Sequence, residues 1–287
     1  MREATTPKER LRQILLLVGP GALWLLLFVL VPTLIMLVAS LMSRGSLGQL
    51  VPPFGLHNYL RFFTDPLYIE IIARSLWIGL WATVFVVLLG YPLAFYIAQS
   101  RYKEVLLLLV VIPFFTNFLI RVYAWIVVFQ REGLINAFIT AFGLPPADLL
   151  PSTLAVYVAT VYTYLPFFVL PLYATVERID WRQLEAAYDL GARPLRAFWE
   201  AIFPQTIPGL FAGFLLVFIP AVGTFVIADL LGGGKITLVG NLIQLQFGSA
   251  QNWAFGSAVS MVLMGLVLFG LWLYARTQGE KGLDKLV

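Results

Sequence analysis

Long apolar runs without a single charged residue set the plan of this chain. The stretch between Arg12 and Arg44 carries no charge, and neither do Ser75 to Ser100, Leu149 to Val176 and Ala201 to Ala228. Ile236 to Ala275 is also uncharged, but its first half holds Asn241, Gln244, Gln246, Gln251 and Asn252, so the apolar part is Trp253 to Tyr274. One more run, Val105 to Gln130, is interrupted only by Arg121. A helix needs about 20 residues to cross the hydrocarbon layer of a bilayer. The pattern therefore predicts an all-α integral membrane protein with six transmembrane helices.

The first run follows Lys8, Arg10 and Arg12, as the apolar part of a secretory signal would. It is about twice the usual length of 7–15 residues for such a segment, and no clear A-x-A site follows. The expectation is a retained helix over 14–41 behind a short tail, 1–13. Prolines stand inside the runs at Pro20, Pro32, Pro92, Pro113 and Pro166. Neighbouring helices can satisfy the backbone groups they free.

Composition agrees. Of 287 residues, 60% are hydrophobic and 12% charged, against about 25% charged in soluble domains. Lipid must cover part of that apolar surface. The net charge is +4, which a nucleic-acid binder could also show, but the placement of the charges argues otherwise. Six spans put both termini on one side. On that side lie Arg2, Lys8, Arg10, Arg12, Arg101, Lys103, Arg178, Arg182, Arg193, Arg196, Arg276, Lys281 and Lys285, which are 13 of the 19 basic residues. Arg44, Arg61, Arg74, Arg131 and Lys235 lie on the other. The excess predicts that both termini, including a tail over 276–287, face the cytoplasm.

There are no cysteines, which removes disulfides, thiolate metal sites and cysteine nucleophiles. The only histidine, His57, lies in an outer segment, Phe54 to Arg74, that mixes aromatic and charged residues. This segment reads as a short interfacial helix broken near Asp65-Pro66, with His57 a surface residue.

The inner loop between the fourth and fifth spans, Glu177 to Gln205, is long for a plain connector. Asp180 with Gln183 three residues later is a variant of a capping box. Trp181, Leu184 and Tyr188 recur at helical spacing on one face. Gly191 follows as a helix-ending glycine. Pro194 suits the first position of a second short helix, and Pro204 reads as its end. Two short amphipathic helices with a sharp turn are expected to project from the membrane.

Glu185-Ala186-Ala187, then Gly191, then Ile202-Phe203-Pro204 resembles the EAA loop of bacterial ABC importer permeases. Ile112 to Trp125, Tyr164 to Tyr173 and Asp229 to Ile243 are similar to the B-type permease subunits of spermidine/putrescine importers, as are Asp65 to Tyr68, Gly90 to Phe95 and Asn252 to Ser260. A related second permease type often carries Glu where this chain has Thr224. The resemblance runs from about Asn58 to Tyr274. It implies the type I importer fold, with a permease core over 75–275 in the cell inner membrane. It also implies that Glu185, Ala186, Ala187, Gly191 and Pro204 form the coupling element that docks on an ATPase. The implied partners are an ATPase dimer, a second permease, and a periplasmic or extracytoplasmic polyamine-binding protein. ATP and Mg belong to the ATPase, and this chain binds no cofactor and catalyses no reaction. The implied cargo is spermidine or putrescine, or, as the alternative, another small charged solute.

A polyamine route should offer acids and aromatic faces, since cation–π contacts partly replace hydration. Asp229, at the outer end of the fifth span, is a candidate for drawing the cation in; otherwise it pairs with Lys235 or Arg121. Tyr123, Trp125, Tyr162, Tyr164 and Phe225 are candidates for a pathway wall, though each taken alone reads first as packing or as an interfacial belt residue. Arg121 is awkward on a cation route and is expected in a structural pair or at an outer gate. Gly232-Gly233-Gly234-Lys235-Ile236-Thr237 imitates a phosphate loop. The required earlier glycine is Asp229 and the residue after the lysine is Ile236, so a flexible gate loop is expected instead. A secondary transporter would show inverted repeats and central acids; neither is found. An intramembrane enzyme would need paired carboxylates or a nucleophile with its base, and these are missing too.

Overall fold

The computed structural model describes residues 7–283. Arg2 and Lys285, counted above among the inner charges, lie outside the described residues, as do the outermost parts of both tails. The described chain is mostly helical. Five helices are continuous and apolar enough to cross a membrane: Leu16–Leu41, Pro66–Gln99, Thr153–Val176, Pro194–Gly223 and Trp253–Trp272. The expected third span is present but not straight. It is a pair of helical segments, Lys103–Phe115 and Phe118–Ala141, that meet at 94°.

That bend has a local cause. Helix α5 (Lys103–Val111) tightens into a 3-10 turn over Ile112–Phe115 that contains Pro113. Thr116 is extended, and Asn117 restarts the chain as the N-cap of α6 (Phe118–Phe129), its Oδ1 accepting from the Leu119 amide at 2.8 Å. A proline and a good N-cap four residues apart end one helix and start another. A third segment, α7 (Leu134–Ala141), follows.

Two prolines lie just past π turns within continuous helices. A π turn over Leu26–Leu30 joins α1 (Pro7–Leu25) to α2 (Val31–Leu41), just before Pro32. Another over Phe198–Ile202 joins α10 (Pro194–Ala197) to α11 (Phe203–Gly223), just before Pro204. A proline ring clashes with the carbonyl four residues earlier. The wider π turn moves that carbonyl aside and lets the helix continue. Pro204 therefore does not close a short helix. The second half of the inner loop and the fifth span are one rod.

Three more expectations shift. The fifth span stops at Gly223, where Thr224 is extended, and α12 (Val226–Gly232) is a separate short helix. The outer segment is α3 (His57–Thr64), but its second half is the start of α4 (Pro66–Gln99), which runs without interruption into the membrane. The expected tail from residue 276 continues the last helix, α14 (Trp253–Leu283).

The chain divides into two compact units. The first comprises residues 1–66 and 243–287. Here α2 and α3 pack on α14. A short hairpin pairs β1 (Ser43–Arg44) with β2 (Leu50–Val51). Asn58 ties α3 to the end of α2 by donating to the carbonyls of Ser40 and Met42 at 2.9 and 2.8 Å. The Arg61 guanidinium lies over the Phe255 ring, 4.7 Å from its centroid. His57 is exposed, with Nε2 3.3 Å from the Ser43 hydroxyl.

The second unit, residues 67–242, is built on α4, α8 (Thr153–Val176) and α11. Phe168 is its central wedge and is fully buried. A Cβ on Gly90 would stand 2.6 Å from Phe168 Cδ1, and one on Gly213 would stand 2.7 Å from Phe168 Cδ2. Only glycine lets α4 and α11 close on that ring from both sides. Val86, Ile97, Val169, Leu172, Val176 and Val217 complete the core beside it.

Candidate functional site

The inner loop begins where α8 ends. Glu177 caps α8, and Ile179 turns back into the core, where it is buried. Asp180 then starts the next helix. Its Oδ1 accepts from the Arg182 amide at 3.1 Å, and its carbonyl accepts from Gln183 at 3.1 Å. Neither half of the expected capping box is made, because the Asp180 side chain takes the Arg182 amide and Trp181 is the N-cap. The Gln183 side chain instead accepts from Gln205 Nε2 at 2.9 Å, bridging the two limbs of the loop.

Helix α9 (Arg182–Asp189) ends in a glycine cap. Gly191 has φ +81°, the left-handed region that an L side chain resists. Its amide donates to the Tyr188 carbonyl at 2.8 Å, and the Ala192 amide donates to the Ala187 carbonyl at 3.0 Å. These two bonds satisfy carbonyls that the helix end leaves open. Arg193 is extended, and Pro194 opens α10 as the first helical residue.

The loop is joined to the membrane core through aromatic rings. Trp181 meets Phe95 of α4 edge-on, with centroids 6.3 Å apart. Phe95 contacts Phe198 at 5.9 Å and stacks on Tyr91 at 4.9 Å. Tyr91 reaches Phe203 at 6.4 Å and hydrogen-bonds Thr206 of α11 at 3.0 Å. Leu184 packs against the same core. Tyr188 does not share this inner face, as its spacing suggested. It is exposed, because α9 runs past its last core contact at Leu184.

The turn itself points away from the core. Leu190 is 89% exposed and Leu195 is 76% exposed, one on each side of Gly191. Glu185 and Ala186 are exposed, and Ala187 is half-buried. Pro204 lies further along, exposed, within the continuous rod. The loop thus presents two exposed leucines on the side away from its aromatic contacts.

Sequence reasoning missed a pair that braces this base. Lys103 Nζ lies 2.6 Å from Glu177 Oε1 and ties the start of α5 to the end of α8. That hydrogen bond, then one from the Tyr173 hydroxyl, holds the Glu177 carboxyl below its ordinary range. The signal was thin: two opposite charges 74 residues apart, each at the inner end of a span.

The outer candidates do not form one cluster. Arg121, Trp125 and Tyr162 line a single cavity of about 230 Å³ with Ala124 and Val128. Trp125 meets Tyr162 edge-on at 5.5 Å. Tyr123 is exposed and lies outside that lining. Tyr164 sits at α11, its hydroxyl donating to the Pro220 carbonyl at 3.4 Å. Phe225 is exposed at the break before α12. Asp229 is exposed on α12 and, among the described residues, pairs with neither Lys235 nor Arg121.

The glycine segment after α12 is an exposed turn anchored on one side. The Leu231 carbonyl accepts from Ser152 at 3.1 Å, and Gly233, with φ +58°, lies against Pro151. Amides that open α13 (Val239–Phe247) are already taken: Val239 donates to Ser75 Oγ at 2.7 Å and Leu238 to Asn241 Oδ1 at 3.1 Å. A phosphate would find those donors occupied. The resemblance to a phosphate loop ends there.

Comparison with known proteins places this architecture. Residues 86–278 match the family described as the binding-protein-dependent transport system inner membrane component. The chain is 44% identical over 253 residues to the spermidine/putrescine transport system permease protein PotB of Haemophilus influenzae, covering 86% of this chain and 88% of that protein. It is 41% identical over 265 residues to the protein of the same name in Escherichia coli, covering 90% and 96%. Among solved structures, a bacterial ABC transporter that imports the acidic polysaccharide alginate aligns with a TM-score of 0.68 at 16% identity, covering 94% of this chain and 96% of that one.

Proposed function

The chain belongs to the family of inner-membrane components of binding-protein-dependent transport systems, and from that premise we propose that it forms half of a pathway for polyamines of the spermidine and putrescine class. The chain is a multi-pass membrane permease. The cargo class is supported by the relatives that share over 40% of their residues with it along most of its length.

The observation that carries the mechanism is the rigid connection at the inner loop. An exposed apolar turn, Leu190-Gly191 to Leu195, is fixed to α4 and α11 through Trp181, Phe95, Phe198 and Tyr91. A push on the turn moves pathway helices rather than bending a loop. We assign the push to a partner ATPase dimer that binds ATP and Mg, while this chain binds neither. Glu185, Ala186, Ala187 and Gly191 form the docking face, and Pro204 belongs to the rod behind it. The excess of basic residues on one side supports a cytoplasmic position for this loop and both termini.

One six-span chain supplies half of a pathway, so a second permease completes it, and a binding protein delivers cargo at the outer face. Asp229, exposed and unpaired among the described residues, is suited to attract a polycation there. Alternating access then follows as the ATPase pair closes and opens. The test is ATP hydrolysis by the reconstituted complex with binding protein loaded with spermidine, putrescine or a non-amine solute. Stimulation by the amines supports the reading. Stimulation by the non-amine alone removes the cargo assignment and leaves the importer.

A further inference from the structure

Among the described residues, Arg121 is a cation without a counter-charge. It stands in the first turn of α6, where the positive end of the helix dipole already disfavours it. Its Nε and Nη1 are buried and have no hydrogen-bond partner. Phe114 and Phe118 flank the guanidinium, with ring centroids 5.1 and 5.9 Å from Cζ. No carboxylate among the described residues pairs with it.

The cavity it lines is suited to an anion. The other lining residues are Ala124, Trp125, Val128 and Tyr162. The indole N–H and the phenol O–H are donors like the guanidinium, and no acid lines the space. A buried charge in an apolar setting requires a fixed partner, because an isolated one costs several kcal/mol.

We infer that this cavity receives a carboxylate side chain from the second permease subunit. The inference rests on the reading of this chain as half of a pathway. A carboxylate held on a neighbouring helix fits for three reasons. It presents two oxygens to an arginine fork. Being fixed, it does not lose the freedom that a soluble anion loses on binding. Beside the cavity, α6 exposes Leu119, Ile120, Tyr123 and Val127, an apolar flank for another helix. A lipid headgroup fits less well, since headgroup sites carry clusters of Lys and Arg and this cavity carries one.

The test uses the complete complex in membranes. Arg121→Lys places an amine in the cavity, and an apolar carbodiimide would join it to an adjacent carboxylate as an amide. The expected product is a cross-link between the two permeases, with the acid located by mass spectrometry. A cross-link to an acid of this same chain, or none at all, overturns the inference. In parallel, Arg121→Met should lower retention of the second permease on detergent purification by roughly tenfold or more, the scale of losing one partner of a desolvated pair. The ATPase should remain bound through the inner loop, which reports that the variant is folded. Equal retention of the second permease by wild type and Arg121→Met removes this inference alone. A wild-type complex that works without any second permease removes the pathway reading, and this partner with it. Restoration of Arg121→Lys or wild-type pairing only in acidic lipid identifies a headgroup instead and also overturns it.

Discussion

Trp181, at the head of the inner loop, meets Phe95 of α4 at 80° with ring centroids 6.3 Å apart. In the proposed mechanism this contact is the first link between the docking loop and a helix that crosses the membrane. Edge-to-face pairs of this kind contribute about 0.5–1.5 kcal/mol beyond the area they bury. Trp181→Ala should therefore weaken the joint by about 1–3 kcal/mol and leave the six-span core intact. Transport per ATP hydrolysed should fall in reconstituted vesicles, while hydrolysis itself persists. Trp181→Phe should keep most of the coupling. An alanine variant with wild-type transport per ATP would show that force does not pass through this ring.

The turn at Gly191 is constrained by its backbone alone. A Cβ there would meet nothing within 4 Å, yet φ is +81°. Gly191→Val should cost about 1–2 kcal/mol or open the turn. Gly191→Asn should be tolerated, since asparagine visits this region. Affinity for the ATPase, measured by co-purification from membranes, should rank glycine, asparagine, valine. Equal retention by all three would mean that the turn angle is not what the partner reads.

The Lys103–Glu177 pair predicts a pH effect with a definite sign. The folded-state carboxyl is lowered from its ordinary 4.5, chiefly by the hydrogen bond from Lys103. Its stabilisation is fully present above the ordinary value and fades as pH falls below it through the lowered folded-state value. Glu177→Gln should flatten the acid side of the thermal-stability profile and change nothing at neutral pH beyond a uniform offset. High salt should shrink the difference, because the pair is exposed to solvent. An unchanged acid limb in Glu177→Gln would assign that limb to other carboxylates.

Asp229→Asn tests the outer mouth. The substitution keeps the shape and removes the charge. Uptake of spermidine at low concentration should drop several-fold, with binding-protein docking unchanged, and the defect should lessen as salt screens the wild type. Uptake equal to wild type would leave Asp229 a surface acid with no part in transport.

Much of this fold was legible because lipid selects on composition. Charge-free windows locate the spans wherever a helix is straight. They fail at Thr116-Asn117, where a proline and an N-cap bend the chain inside an apolar run that shows only one charge. They also misread Pro204. A proline after a short helix is locally a stop, and the π turn that carries the rod past it is held by buried Ile202 and Thr206, which only the packed structure supplies. The inner loop was legible for the opposite reason: Asp180, Gly191 and Pro194 each act within a few residues. Its aromatic seat on Phe95 and Tyr91 was not, because those rings come from a helix more than 80 residues earlier. The outer candidates were chosen by residue type. Type alone could not separate Trp125 and Tyr162, which share the Arg121 cavity, from Tyr123 and Tyr164, which do not.

The central claim is that the inner loop is where an ATPase drives this permease. The chain has no cysteine, so Leu190→Cys creates a single reactive site on the more exposed of the two leucines of the turn. The measurement is thiol cross-linking of that variant within the assembled complex, with and without ATP. The account predicts one cross-linked product with the ATPase subunit, whose yield changes when nucleotide closes the dimer. An assembled, transport-competent complex that gives no ATPase cross-link from this position would contradict it.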